Sequence, residues 1–239
     1  MPKLSASRSL IQDLVAASRV LAAHEVLDAY GHVSARSDRR PERFFMSRSR
    51  APALVTAADM MELDADSEPL PGDKRKGFIE RYIHGEIYRA RPGVMAVVHS
   101  HSSSVIPFGV TRTRLRPIYH MGSFLWSGAP VFEIRAVRAE NDLLIRDRPL
   151  GQALAGTLGG HSCVLMRGHG MTVVGDSVPE AVFRAIYTEM NARLQLQAEQ
   201  LEGPIEFLSD EEGRRASAAN RGTLERPWEL WKKSALARK

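Results

Sequence analysis

The residues best suited to chemistry are three histidines. His99 and His101 lie in VMAVVHSH (94–101), an apolar run that reads as a strand. Strand side chains alternate between faces, so residues i and i+2 leave the same face and both imidazoles can approach one ion. His169 sits in RGHG (167–170), between two strand-like segments. Its flanking glycines let the backbone come close to a neighbour. Three neutral imidazoles with coordination positions left open make a catalytic rather than a structural metal centre. H-x-H alone fits a pair of strand-end histidines on a polar rim equally well. Glu80 and His84 stand four apart on a helical pattern and share a face; on spacing alone Glu80 also suits a solvated helical carboxylate. His32 follows Gly31 and could be a loop histidine.

The elements that must position these groups follow from periodicity. Residues 7–29 carry Leu10, Ile11, Leu14, Val15, Leu21 and Ala22 at helical spacing, with Ser18 in the stripe. GHVSAR (31–36), FFMS (44–47) and MELD (61–64) read as strands, and TAADM (56–60) as a capped helical turn. Residues 76–90 form a second helix, ended by Arg91-Pro92-Gly93. After the histidine strand come a short helix or loop, a mixed stretch (116–137) with an extended piece VFEI (131–134), and a helix opened by Pro149. HSCVLM (161–166) and MTVVG (171–175) flank RGHG, and a long helix covers 178–201 with Pro179 in its first turn. This order predicts an α/β fold with a mostly antiparallel sheet. One domain over 1–202 is expected, with a tail at 203–239 packed on it or on a neighbouring subunit through Trp228 and Trp231.

Composition narrows the function classes. The 239 residues are 44% hydrophobic and 26% charged, which excludes collagenous, disordered and coiled-coil proteins. No run reaches the roughly 20 apolar residues that a membrane helix needs. The first ten residues lack a secretory apolar core, so a cytoplasmic protein is expected. The net charge of +5 is scattered without aromatic-and-basic motifs. It suits a small acidic substrate better than nucleic acid. The single cysteine, Cys163, excludes an intrachain disulfide and a cysteine-based zinc site. Phosphate-loop, dinucleotide-binding, H-E-x-x-H and G-x-S-x-G signatures are absent.

Taken together, four segments resemble the class II aldolase and adducin family: Gly31-x-x-Ser34-x-Arg36, Glu80-x-x-x-His84-x-x-Ile87-Tyr88-x-x-Arg91-Pro92, AVVHSHS (96–102), and RGHG followed by a strand and a helix. The resemblance spans about residues 10–200. It implies a three-layer α/β/α sandwich around an antiparallel sheet and a homotetramer with active sites at subunit interfaces. It also implies a divalent metal on His99, His101 and His169, with Glu80 as acid/base. The departures matter. Where sugar-phosphate aldolases of the family hold phosphate with an asparagine, a P-S-G turn and two serines, this chain has His32, Met46-Ser47-Arg48 and Phe78-Ile79. An apolar pair cannot cradle a dianion, so a phosphorylated sugar is a poor substrate. The altered set is similar to the decarboxylase branch of the family, which removes CO2 non-oxidatively from hydroxylated phthalates and pyridine dicarboxylates.

That similarity implies a mechanism. A hydroxyl ortho to the departing carboxylate gives its electrons an outlet, and a Lewis-acid metal stabilises the developing charge. Glu80 or His32 would deliver the proton to the ring carbon. His32 meets the pKa requirement unperturbed; Glu80 would need its pKa raised by burial beside Phe78 and Ile79. Ser47 and Arg48 would hold a second carboxylate, since Arg suits bidentate binding, with Arg50 as an alternative. His120 falls near a family tyrosine that reaches a neighbouring subunit's site. Imidazoles suit zinc, and also accept manganese and other transition metals. The alternatives are an aldolase acting on a non-phosphorylated hydroxy-carbonyl substrate and a non-catalytic adducin-like module; an intact metal set argues against the latter.

Overall fold

A computed structural model describes residues 6–237; residues 1–5, part of the stretch read for a secretory signal, and 238–239 lie outside the described residues. Seven strands form one sheet: β1 (His32–Arg36), β2 (Phe44–Ser47), β3 (Met60–Leu63), β4 (Ala96–Ser100), β5 (Val131–Phe132), β6 (Cys163–Met166) and β7 (Gly170–Gly175). Seven α-helices are described: α1 (Arg8–Ala23), α2 (Arg81–Ala90), α3 (Ile106–Val110), α4 (Arg148–Leu158), α5 (Val178–Ala198), α6 (Asp210–Arg221) and α7 (Glu225–Ala237). The strand order is β3-β2-β1-β4-β7-β6-β5. Every pairing is antiparallel except β5 with β6.

Strand alternation sorts the side chains into two cores, one on each face of the sheet. Val33, Ala35, Ala96, Val98, Leu165 and Val173 pack with α1 and α5 residues such as Leu14, Leu21, Val182 and Ile186. Val97, Val164, Met166 and Val174 pack with Ile83 and Ile87 of α2 and with Leu150 and Leu154 of α4. The expected α/β/α layering is therefore present. It also decides which face carries chemistry: His99 shares the parity of Val97, so it leaves on the α2 side.

Element boundaries depart from the sequence reading where backbone hydrogen bonds are taken elsewhere. The first helix stops at Ala23 instead of reaching 29. Glu25 adopts a positive φ of 58°, and the amides of Val26 and Leu27 turn back onto the Leu21 carbonyl. The second helix begins at Arg81, five residues later than expected, because the Lys76 carbonyl is engaged by the Ser49 amide. Glu80 therefore sits at the N-cap of α2 rather than within it. The extended piece at 131–134 is a two-residue strand leading into a 3-10 turn, with the Glu133 side chain accepting from the Arg135 amide. The Ser7, Asp147 and Ser177 side chains accept amide hydrogens at the starts of α1, α4 and α5.

The residues after 203 form α6 and α7. Trp228 and Ala235 of α7 join the α1/α5 core, and Lys232 pairs with Asp13 of α1 at 2.5 Å. On α6, Gly213 approaches the 3-10 helix His120–Ser127 so closely that a Cβ would lie 2.4 Å from Trp126 Cβ. No helix among the described residues is long and apolar enough to cross a membrane.

Candidate metal centre

Register brings the three histidines together. β4 lies against β7 with His99 opposite Thr172 and Ser100 opposite Met171. β7 returns from β6 through a tight turn with Met166 opposite Gly170, closed by the His169 amide on the Met166 carbonyl at 3.0 Å. His169 thus stands beside His101, just past the end of β4. The approach requires glycine: a Cβ on Gly170 would lie 2.0 Å from the Ser100 carbonyl oxygen. Glu80 enters from the start of α2. One ligand atom from each of Glu80, His99, His101 and His169 lies within 4.8 Å of all the others. The His101 and His169 Nε2 atoms are 3.0 Å apart. Glu80 Oε2 is 3.5 Å from the Nε2 atoms of both His99 and His169.

The rings are oriented from behind. His99 Nδ1 donates to the Met171 carbonyl at 3.1 Å, and His169 Nδ1 donates to the Leu143 carbonyl at 2.9 Å. A carbonyl only accepts, so each Nδ1 carries the hydrogen and each Nε2 turns a lone pair inward, the arrangement usual for metal-binding histidines. The Ile145 amide donates to Glu80 Oε1 at 2.9 Å, leaving Oε2 for the centre. The loop around Leu143 therefore holds two of the four groups. Leu143 adopts a positive φ of 68° to do so, a strained conformation for a branched side chain. Nothing in NDLLI marks this role, since both contacts come from the backbone.

His99 Nε2 is buried with no hydrogen-bond partner among the described residues. Leaving such an acceptor unsatisfied costs about 1–3 kcal/mol. A divalent cation among these nitrogens and the carboxylate would remove that cost, so the donor set fits one. Burial lowers the His101 imidazole and brings His169 down to about 4, keeping both neutral as metal binding requires.

The two acid/base candidates differ from their expected ionisation. Burial acts to raise the Glu80 carboxyl, but His99, His169 and the Ile145 amide outweigh it and hold the group down to about 2. Burial, with the surrounding histidines adding to it, takes His32 well below its ordinary value. Glu80 is thus an anion and His32 a neutral imidazole. His32 is buried beside the cluster, its ring 4.5 Å from Phe78 and 5.1 Å from His99, and its Nδ1 lies 2.7 Å from His84 Nε2. The other named residues stand apart from the four-residue cluster. Ser47 is buried at the end of β2. Arg48 donates from Nε to Asp59 at 2.7 Å, and Arg50 lies 3.4 Å from the same carboxylate. His120 is exposed, at the start of its 3-10 helix. Cys163 is buried and pushed up to about 12, a packing residue with no nucleophilic character.

The antiparallel sheet thus lies between helical layers and carries a histidine and glutamate cluster at its strand ends. The chain belongs to the family described as class II aldolase and adducin N-terminal domain, whose model matches residues 12–196. It is a carbon–carbon lyase. Decarboxylase tropJ of Talaromyces stipitatus is 40% identical to it, with 92% of each chain covered. The 3,4-dihydroxyphthalate decarboxylase of a Terrabacter species is 35% identical, with 81% of each covered. In fold the chain is similar to L-fuculose 1-phosphate aldolase from Glaciozyma antarctica, with a TM-score of 0.77, 20% identity, and 98% of this chain and 93% of that one covered.

Proposed function

We propose that the protein is a metal-dependent, non-oxidative decarboxylase of a hydroxylated aromatic acid: a benzoate, a phthalate or a pyridine carboxylate. The observation that carries this reading is the setting of His32. A neutral imidazole lies beside the three-histidine cluster with its ring 4.5 Å from Phe78, an apolar wall that suits an aromatic ring and offers a phosphate no hydrogen bond. Two relatives named as decarboxylases support the reading.

His99, His101 and His169 would hold the divalent ion, zinc or manganese. When bound, it supplies a Lewis acid that stabilises negative charge on the substrate's ring oxygen. Glu80, already ionised, accepts the proton of the ortho hydroxyl. The electrons freed on that oxygen move into the ring, and the carbon bearing the carboxylate takes the proton back from Glu80. The C–C bond then breaks, its pair restores the aromatic ring, and CO2 leaves. Solvent supplies the proton that completes the product hydroxyl. His32 donates a hydrogen bond to a substrate oxygen as charge develops. Ser47 and Arg48 would meet a second carboxylate; Arg48 spends only Nε on Asp59, and its terminal nitrogens have no partner among the described residues. His120, exposed at the start of its 3-10 helix, would serve a neighbouring site in a homotetramer.

The test is elemental analysis of purified protein followed by a CO2-release screen over hydroxylated benzoates, phthalates and pyridine carboxylates. Stoichiometric zinc or manganese and CO2 release only from acids with an ortho hydroxyl are expected. Aldehyde formation from a hydroxy-carbonyl compound, without CO2 release from any acid, would replace this reading with an aldolase.

A further inference from the structure

The chemistry above leaves three buried polar residues of the second and first motifs unused: His84, Ser34 and Tyr88. They form one line with His32. His32 Nδ1 meets His84 Nε2 at 2.7 Å, His84 Nδ1 meets Ser34 Oγ at 2.6 Å, and Ser34 Oγ meets Tyr88 Oη at 2.7 Å. His84 and Ser34 are fully buried, and Tyr88 and His32 nearly so, at 5% exposure each. The line exists because two periods match. His32 and Ser34 are two apart on β1 and leave one face, while His84 and Tyr88 are four apart on α2 and face them.

We infer that Tyr88, Ser34 and His84 are positioning residues that lock His32 in the tautomer with its hydrogen on Nε2, aimed at the substrate. The argument is one of hydrogen-bond polarity. Burial pushes the Tyr88 phenol up, so it keeps its proton. Among the described residues, its hydroxyl is hydrogen-bonded to Ser34 Oγ. Tyr88 therefore donates to Ser34, and the Ser34 hydroxyl must donate onward to His84 Nδ1. Burial brings His84 down to about 3, so it is neutral and carries its single hydrogen on Nε2, which it gives to His32 Nδ1. His32, with Nδ1 accepting, holds its own hydrogen on Nε2. That nitrogen has no hydrogen-bond partner among the described residues. The reverse polarity would leave the phenol hydrogen buried without an acceptor, a cost of about 1–3 kcal/mol. Because the buried phenol hydrogen needs Ser34 Oγ as its acceptor, the chain has one favoured direction. It makes His32 a fixed donor for a carboxylate or phenolate oxygen, at no reorganisation cost when charge develops.

The substrate half of this inference rests on the decarboxylase reading; the tautomer half does not. The test is long-range proton–nitrogen correlation NMR on uniformly 15N-labelled, zinc-loaded protein, with Tyr88→Phe and, should that variant fold poorly, Ser34→Ala. In the wild type, His32 and His84 should both show hydrogen on Nε2. In either variant the direction is released, and His32 should show a substantial Nδ1–H population at unchanged zinc content. For an active acid, kcat/KM should fall about 10-fold, the worth of one charge-assisted hydrogen bond. A wild-type His32 with its hydrogen on Nδ1, or an unmoved tautomer in both variants, overturns the inference even if CO2 is released. A shifted tautomer with unchanged kcat/KM overturns the substrate role of the chain. If no acid is decarboxylated, the tautomer spectra still decide whether the chain has the stated direction.

Discussion

At the residue scale, the centre is built by carbonyls as much as by histidines. Met171 and Leu143 choose which nitrogen of His99 and His169 faces inward, and the Ile145 amide does the same for Glu80. Removing one ligand and neutralising the carboxylate should then have separable effects. His99→Ala is expected to lose bound metal and activity together, measured by elemental analysis beside turnover. Glu80→Gln should retain metal while kcat drops about 100-fold or more, if Glu80 carries the proton. A second expectation concerns His84, whose folded pKa of about 3 lies below its ordinary 6.5. Below pH 6.5 the unfolded chain gains a proton that the folded chain refuses, so stability is present above that value and is lost as pH falls toward 3. Urea unfolding of metal-free protein should show this group contributing a loss of about 2 kcal/mol between pH 7 and pH 5. His84→Gln should flatten the pH dependence by that amount. Equal slopes in both proteins would mean that His84 is not held neutral.

At the scale of elements, the geometry depends on how closely β7 and its turn approach the end of β4. Gly170→Ala places a methyl group 2.0 Å from the Ser100 carbonyl oxygen and 3.0 Å from His101 Cα. Backbone cannot yield as a side chain can, so the strands must separate where His101 meets His169. The expected cost is about 1–3 kcal/mol in stability, with metal affinity lower by about 10-fold or more. Gly156 is the control. It lies within α4 with nothing within 4 Å of a Cβ, so Gly156→Ala should raise stability by up to about 1 kcal/mol and leave metal content alone. Calorimetry with metal titration of the two variants distinguishes a close backbone approach from a general intolerance of alanine. The placement of Glu80 also belongs to this scale. It lies just outside α2, where its backbone is free of the helical repeat and its side chain can turn toward the strand ends.

At the scale of the whole molecule, the last helix completes the core on the face away from the histidine cluster. Trp228 is 9% exposed and packs with the α1/α5 residues, and Lys232 holds Asp13. Trp228→Ala should cost about 3–5 kcal/mol in chemical denaturation without changing metal content, because the two cores lie on opposite faces of the sheet. The proposed exchange of His120 between subunits has its own test. His99→Ala protein, inactive alone, and His120→Ala protein, impaired alone, should regain activity when unfolded and reassembled together, since a hybrid can combine His99 from one chain with His120 from another. No recovery would confine the site to one chain.

Much of this protein was legible in its residues because local rules govern those parts. Alternation placed His99 and His101 on one face, glycines marked the turn holding His169, and apolar periodicity located the helices that sandwich the sheet. Combinations of short motifs carried the family resemblance. Where the reading erred, a distant group had intervened. Ser49 takes the Lys76 carbonyl and delays α2, and His99, His169 and the Ile145 amide keep Glu80 ionised where burial alone would have protonated it. Tertiary structure alone settled the ionisation of Glu80 and His32, the backbone contacts of the Leu143 loop, and the direct line from Tyr88 to His32. The reason is physical: periodicity is a property of consecutive residues, whereas a pKa or the direction of a hydrogen-bond chain depends on groups tens of residues away that only the folded sheet brings into contact.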